Sequence, residues 1–422
     1  MTAGGGVIER LLLPRVEDAL SDTRVVVLQG ARQVGKSTLA EHIAGRRTSY
    51  LTTLDDSDVR RFASADPVGF VAQFPEGLLV IDEVQRVPEL IVALKAAVDR
   101  DKRPGRYLIT GSANLLDLSA THESLAGRAQ PLTLHSLSQA ELEEQPGSFI
   151  DAAFSGRRLL GHRSSLTRHE YLERACRGGY PEALARSSAT RRGDWYDTYV
   201  TQIVNRDAMD ISGLQRLADL PRLLRFIAAR SGSGMVWSSL ASDSGIPRTT
   251  LDPYVRLLET LFLIHVLPAW AVNFTTREVK QPKVFLLDTG LAASLLGVVP
   301  DALGPTVTNS PAGGLLEGLA VGELRRQLGW SSQRANMYHY RDQRGVEVDV
   351  VLETPDGRVV GIEVKAAATV HPKDLTGLAL LRDKLGNRFV GGYVLHTGET
   401  SRLVADRIMA LPLDALWRRE AP

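Results

Sequence analysis

Val25-Val26-Val27-Leu28-Gln29-Gly30-Ala31-Arg32-Gln33-Val34-Gly35-Lys36-Ser37-Thr38 is a β-branched run followed by a glycine, four residues and Gly-Lys-Ser. A helical pattern follows, as far as Gly45. The order strand, glycine-rich turn, helix matters more than the string, since the string alone could be a turn ending in a helix cap. In that order the glycines let the backbone curl until its N–H groups point at phosphate oxygens, and the helix start adds partial positive charge. Lys36 then reaches the β and γ phosphates of a nucleotide and Ser37 supplies a ligand for Mg²⁺. Gly30, Ala31, Arg32, Gln33, Val34, Gly35, Lys36, Ser37 and Thr38 are the expected nucleotide-binding residues.

Leu78-Leu79-Val80-Ile81-Asp82-Glu83 is a second strand, running into two carboxylates. At the C-terminal edge of a parallel strand Asp82 can hold Mg²⁺, and Glu83 can activate the attacking water of a phosphoryl transfer. A third strand, Arg106 to Ser112, ends in Thr110 and Ser112, placed to orient that water or contact the γ-phosphate. Alternating strands and helices over the first 140 residues predict βαβ units around a parallel sheet. Strands apolar throughout predict helices on both faces of it.

The chain of 422 residues has room for two or three domains. Its 50 basic and 49 acidic side chains leave a net charge of +1, which excludes a polycationic or a disordered acidic protein. Of the basic residues 42 are Arg and 8 are Lys, and residues 151–260 carry 16 Arg and no Lys against 12 acids. Cys176 is the single cysteine, the N-terminal stretch lacks a signal-peptide pattern, and the most apolar stretch, 257–272, is interrupted by Glu259, His265 and Pro268. A reducing, cytoplasmic location and no membrane span are expected.

Residues 141–234 read as a helical connector. Residues 235–300 read as a winged helix-turn-helix: a short strand, a helix, a turn at Gly245 to Pro247, a helix capped by Thr249 and Thr250, and a further strand. Arg248 and Arg256 on its second helix, with Lys280 and Lys283 on a wing, are candidates for phosphate contacts that set affinity without sequence readout. The same motif also serves domain packing or oligomerisation. In residues 301–422, strands on either side of Thr354-Pro355-Asp356-Gly357 predict a hairpin. Centred on Asp356, its register sets Asp349 opposite Glu363 and Glu347 opposite Lys365, all on one face. Facing carboxylates repel, so Asp349 and Glu363 call for a cation, and hard oxygens suit Mg²⁺ or Mn²⁺. With Glu317 on a preceding helix, the set resembles the PD-(D/E)xK nuclease core. In that reading Asp349, Glu363 and Glu317 are metal ligands and Lys365 polarises the attacking water. Val348 stands where a proline heads the usual motif. The alternative is a solvent-facing strand pair in which Lys365 bridges Glu347 and Glu363.

GARQVGKST, LLVIDEVQRVP, YLITGSANLL and SLAGR, together with RGGYPEAL, FLLDTGLAASLLG, GLLEGLAVGEL and EVDVVLE…GIEVK, span nearly the whole chain. They resemble the AAA+ ATPases, specifically the bacterial and archaeal family in which an AAA_14-like domain precedes a DUF4143-type domain with a winged helix and a nuclease-like core. The resemblance implies an α/β fold: a P-loop AAA+ domain at 1–140, the helical and winged-helix regions, and a restriction-endonuclease-like α/β domain. It implies a homo-oligomeric, Mg²⁺-dependent ATPase, with a ring as one form, in which a neighbour's arginine completes the site. Arg128 in SLAGR is the candidate, in cis or in trans, and Arg32 competes as a phosphate contact. Two functions stay open: ATP hydrolysis coupled to metal-dependent cleavage of nucleic acid, or an ATP-driven switch or scaffold whose C-terminal domain binds DNA or a protein without cutting.

Overall fold

A computed structural model describes residues 8–113, 125–156, 159–203, 217–271, 281–304 and 310–418. The chain folds as two compact units, residues 1–137 with 260–262, and residues 138–259 with 263–422.

The first unit runs α1 (Leu13–Asp22), β1 (Val25–Gln29), α2 (Lys36–Ala44), β2 (Ser49–Thr53), α3 (Ser57–Ala65), α4 (Pro67–Ala72), β3 (Leu78–Asp82), α5 (Glu89–Arg100), β4 (Tyr107–Gly111) and β5 (Ala129–Thr133). Its five strands pair in parallel in the order β2-β3-β4-β1-β5. β1 and β4 are buried at every residue, as strands apolar on both sides must be when helices cover both faces. α5 turns Leu90, Leu94 and Val98 inward at helical spacing, onto Val25, Val27, Leu79, Ile81 and Ile109. The flanking helices start on designed caps: the Asp56 carboxylate accepts from the Asp58 and Val59 N–H groups, and Asp66 accepts from Gly69 ahead of a Pro at the first helical position. β4 lies between β1 and β3. It therefore brings Thr110 and Ser112 between the glycine-rich turn after β1 and the acids that end β3.

The second unit opens with α6 (Gln139–Leu142), α7 (Phe149–Phe154), α8 (Arg168–Arg177), α9 (Pro181–Leu184) and α10 (Ala189–Gln202). Three further helices follow, α11 (Leu220–Ala229), α12 (Trp237–Ser244) and α13 (Arg248–Thr260), then an antiparallel pair β6 (Ile264–Leu267) and β7 (Lys283–Leu286). α12 ends where Gly245 takes φ +66°, and α13 begins already at Arg248, so Thr249 and Thr250 sit in its first turn and do not cap it. Next come α14 (Thr289–Leu296), α15 (Ala312–Gln327), β8 (Asn336–Arg341), β9 (Glu347–Glu353), β10 (Val359–Val364), α16 (Thr376–Leu385), β11 (Phe389–His396), β12 (Arg402–Ala405) and β13 (Ile408–Pro412). The six strands form a mixed sheet in the order β12-β13-β11-β10-β9-β8. β9 pairs antiparallel with β8 and β10, whereas β10, β11 and β13 run parallel, with α16 as the crossover from β10 to β11. Trp270, Val348, Val351, Leu378, Leu381, Phe389 and Val394 form its core. The predicted hairpin register holds, Glu353 facing Val359 and Val350 facing Ile362.

Lys283 corrects the sequence reading. It was expected on a wing, yet it begins β7 with its side chain 1% exposed, bonded to the Glu317 and Asp349 carboxylates. Lys280 lies outside the described residues. Among the described residues no helix is long and apolar enough to cross a membrane.

Candidate nucleotide site and carboxylate cluster

At the end of β1 the backbone must turn sharply under Leu134. Gly30 does so at φ +151°, where a Cβ would lie 2.1 Å from the Leu134 carbonyl oxygen, so only glycine fits. Gln33 at φ +59° and Gly35 at φ +96° complete the turn. Gly35 opens α2, and no side chain caps that start. Lys36 is buried, and its Nζ donates to the carbonyls of Gly30 (3.0 Å) and Ala31 (2.9 Å), inside the curl of the loop. Arg10 braces the loop from outside, donating 2.7 Å bonds to the Val34 and His135 carbonyls.

Ser37 and Thr38 follow in the first turn of α2. The Ser37 hydroxyl is 3.0 Å from both Asp82 oxygens. A hydroxyl and a carboxylate side by side are the hard oxygen pair that Mg²⁺ takes beside a nucleotide, so these residues fit that ion. Asp82 Oδ1 also accepts from Thr110 Oγ1 at 2.6 Å, and Thr110 Oγ1 in turn accepts from the Glu83 N–H at 3.1 Å. Gln85 Nε2 donates to Glu83 Oε2 and, at 3.0 Å, to Ser112 Oγ. A continuous line of bonds thus runs Ser37, Asp82, Thr110, Glu83, Gln85, Ser112. Glu83 holds φ +59°, a left-handed conformation that L residues rarely adopt and that concentrates at working sites.

Arg128 stands elsewhere. Its neighbour Ala129 pairs with Val25 at the start of β1, whereas the glycine-rich turn follows Gln29. Four residues of strand, about 13 Å, separate those ends. Arg128 there clasps Asp99 at 2.6 and 3.0 Å, and that bond holds the Asp99 carboxyl below its usual range. It does not reach the nucleotide loop of its own chain.

In the second unit the sequence-predicted acids do meet. Asp349 on β9 and Glu363 on β10 are buried, and Glu317 on α15 joins them. Lys365 Nζ is 2.7 Å from Glu363 Oε1, while Glu347 pairs with Arg341 at 2.7 Å and not with Lys365. The residue that sequence reasoning misplaced is at the centre: Lys283 Nζ donates to Glu317 Oε1 at 2.8 Å and Asp349 Oδ1 at 2.9 Å. Burial works against its charge, but Asp349 and Glu317 outweigh that and keep it protonated. Burial and the neighbouring Asp349 push both Glu317 and Glu363 above the usual carboxylate range. Ammonium groups thus stand among the carboxylates where the sequence reading set a Mg²⁺ or Mn²⁺ shell, and among the described residues no group of three or more His, Cys, Asp or Glu is arranged to hold a metal ion. The other residues missed were Gln85 and Arg10. Gln85, two positions after Glu83, left the only local trace.

Residues 22–143 match the family model of an AAA domain. Residues 168–302 match a domain of unknown function, DUF8612, and residues 312–416 another, DUF4143. Over 402 residues the chain is 28% identical to uncharacterized proteins of Mycobacterium bovis and Mycobacterium tuberculosis, an alignment covering 95% of this chain and 83% of each relative. Among solved structures, the Walker-type ATPase of Pyrococcus abyssi is similar at 16% identity with a TM-score of 0.42, over 68% of this chain and 96% of that one. The chain thus has an AAA domain towards its N-terminus and a DUF4143 domain towards its C-terminus.

Proposed function

We propose that the protein binds ATP with Mg²⁺ and hydrolyses it, and that its nucleotide state governs how the second unit engages nucleic acid. The line of bonds from Ser37 to Ser112 carries the first part. Mg²⁺, when bound, would neutralise phosphate charge at Ser37 and Asp82. Lys36, inside the loop, contacts the β and γ phosphates, and the start of α2, which no side chain caps, adds partial positive charge beside them. Glu83, fixed through Thr110 and Gln85, accepts a proton from the attacking water, and Ser112 helps to hold that water in line. Arg128, directed away from its own site, serves a neighbouring copy in a homo-oligomer.

For the second unit the order α15-β8-β9-β10-α16-β11, with Asp349, Glu363 and Lys365 at the expected positions, supports a restriction-endonuclease-like fold. The sequence of α11, α12, α13 and the β6–β7 pair supports a winged helix before it. That topology also keeps open the second reading, metal-dependent cleavage at the carboxylates. The first test is hydrolysis. Glu83→Gln should bind ATP with near-normal affinity and turn it over about 10²- to 10⁴-fold more slowly, the range for a lost general base, and Lys36→Ala should bind ATP poorly. Wild-type turnover by Glu83→Gln would remove the assigned base.

A further inference from the structure

Three carboxylates meeting on a nuclease-like sheet ask for a divalent ion, but the residues present do not fit one. Lys283 Nζ lies 2.8 Å from Glu317 Oε1 and 2.9 Å from Asp349 Oδ1. A Mg²⁺ drawing on those two oxygens at about 2.1 Å would have to take the space that the ammonium fills, against its charge. The neighbouring oxygens are engaged as well. Asp349 Oδ2 accepts from the Val364 N–H at 2.9 Å, and Glu363 Oε1 accepts from Lys365 at 2.7 Å. On the far side of Glu317, the turn after α11 passes so close that a Cβ on Gly232, at φ +82°, would lie 2.4 Å from Oε2.

Lys283 also comes from outside the elements that carry the acids. It opens β7, where its backbone pairs with Leu267 of β6 and bridges to Gly234. The ammonium is therefore delivered by the strand pair of the neighbouring subdomain and held there by backbone bonds on both sides. Once buried and doubly bonded, such a charge is not given up easily, because leaving would strand two carboxylates without a counterion.

We infer that Lys283 is a tethered cation standing in the divalent-ion position, which closes the carboxylate cluster to metal and leaves the second unit without metal-dependent hydrolysis. This rests on the nuclease-like reading of the second unit for the identity of the displaced ion, and not on ATP hydrolysis at the first. It therefore fails or stands separately from the Glu83→Gln result.

The test uses the full chain without nucleotide, titrated with Mn²⁺ and followed by the paramagnetic signal of free Mn²⁺ and by melting temperature. Wild type should bind no Mn²⁺ that depends on Asp349. Lys283→Met should gain one bound Mn²⁺ and a melting temperature that climbs with Mn²⁺, and adding Asp349→Asn should abolish both. A Mn²⁺ bound by wild type and lost in Asp349→Asn would overturn the inference, as would a folded Lys283→Met that gains none. Should Lys283→Met not fold, Lys283→Gln, which keeps N–H donors for the carboxylates without the charge, takes its place, and the comparison of wild type with Asp349→Asn still decides.

Discussion

Glu83 pays for its position with a left-handed backbone, a strain of order 1 kcal/mol or more for a residue with a Cβ. The compensation is the bond from its own N–H to Thr110 and the grip of Gln85 on its carboxylate. Gln85 spends its amide N–H groups on Glu83 and Ser112, so it acts by aiming the base. Gln85→Ala should lower kcat about tenfold to a hundredfold, the scale of a misplaced catalytic group, with KM for ATP unchanged. A variant that raised KM and kept kcat would place Gln85 among the nucleotide contacts instead. The same contrast between local and remote contacts separates what could be read at this scale from what could not. Asp82 and Glu83 announce themselves as two acids ending an apolar strand. Arg10 reaches partners 24 and 125 residues away, and Lys283 reaches partners 34 and 66 away, distances over which no periodicity operates. A lysine opening an apolar strand reads as an exposed cation until the acids it meets are placed around it.

Among elements, legibility followed burial. β1, β3 and β4 are interior strands, apolar on both faces, and the alternation of these runs with helices was enough to predict the parallel sheet. β2 and β5 lie at the sheet's edges, and Ser49-Tyr50-Leu51-Thr52-Thr53 and Ala129-Gln130-Pro131-Leu132-Thr133 carry too little apolar pattern to stand out. The β9–β10 register was legible because the tight turn at Thr354 to Gly357 sets it, with Thr354 N–H bonded to Arg358 O and Gly357 N–H to Thr354 O. The β6 strand carries a feature that no pattern reveals: His265, whose Nε2 has no hydrogen-bond partner among the described residues. Burial, aided by Arg325, pushes its imidazole down to about 3. The unfolded chain takes up a proton there near pH 6.5 while the folded one does not. Stability from this group is thus complete above pH 6.5 and falls as pH drops towards 3, by up to about 1.4 kcal/mol per pH unit. Glu323 and Glu363, each pushed up to about 7 chiefly by burial, act in the opposite sense, so the comparison must be differential. Between pH 7 and pH 5, wild type should lose about 1–2 kcal/mol more than His265→Gln by urea unfolding. Parallel losses in the two proteins would mean that His265 is protonated in the fold.

For the whole molecule, the near-balance of charge constrains the proposed contact with nucleic acid. With a net charge of +1, no long-range field gathers a polyanion, and contact has to come from a local patch. The helix α13 offers one on the 248, 252, 256 face, spaced at i, i+4 and i+8. Arg248 there is bonded to Asp252 and lies over the Trp237 ring, which ties it to the protein, whereas Arg256 is exposed. Asp252 on the same face subtracts from the patch. Each phosphate neutralised contributes about 0.9 to the slope of log affinity against log salt, so the two arginines of this face predict a slope of about −2, far shallower than a polycationic binder shows. Arg256→Ala should reduce that slope by about 1 and weaken all sequences alike. Lys36→Ala should leave the slope intact while removing any effect of ATP on it, because Arg256 and the proposed nucleotide site lie in different units of the chain. Fluorescence anisotropy between 50 and 200 mM salt, a span over which such slopes are resolved, measures both. If Arg256→Ala binds with an unchanged slope, Arg256 neutralises no phosphate and α13 serves packing instead.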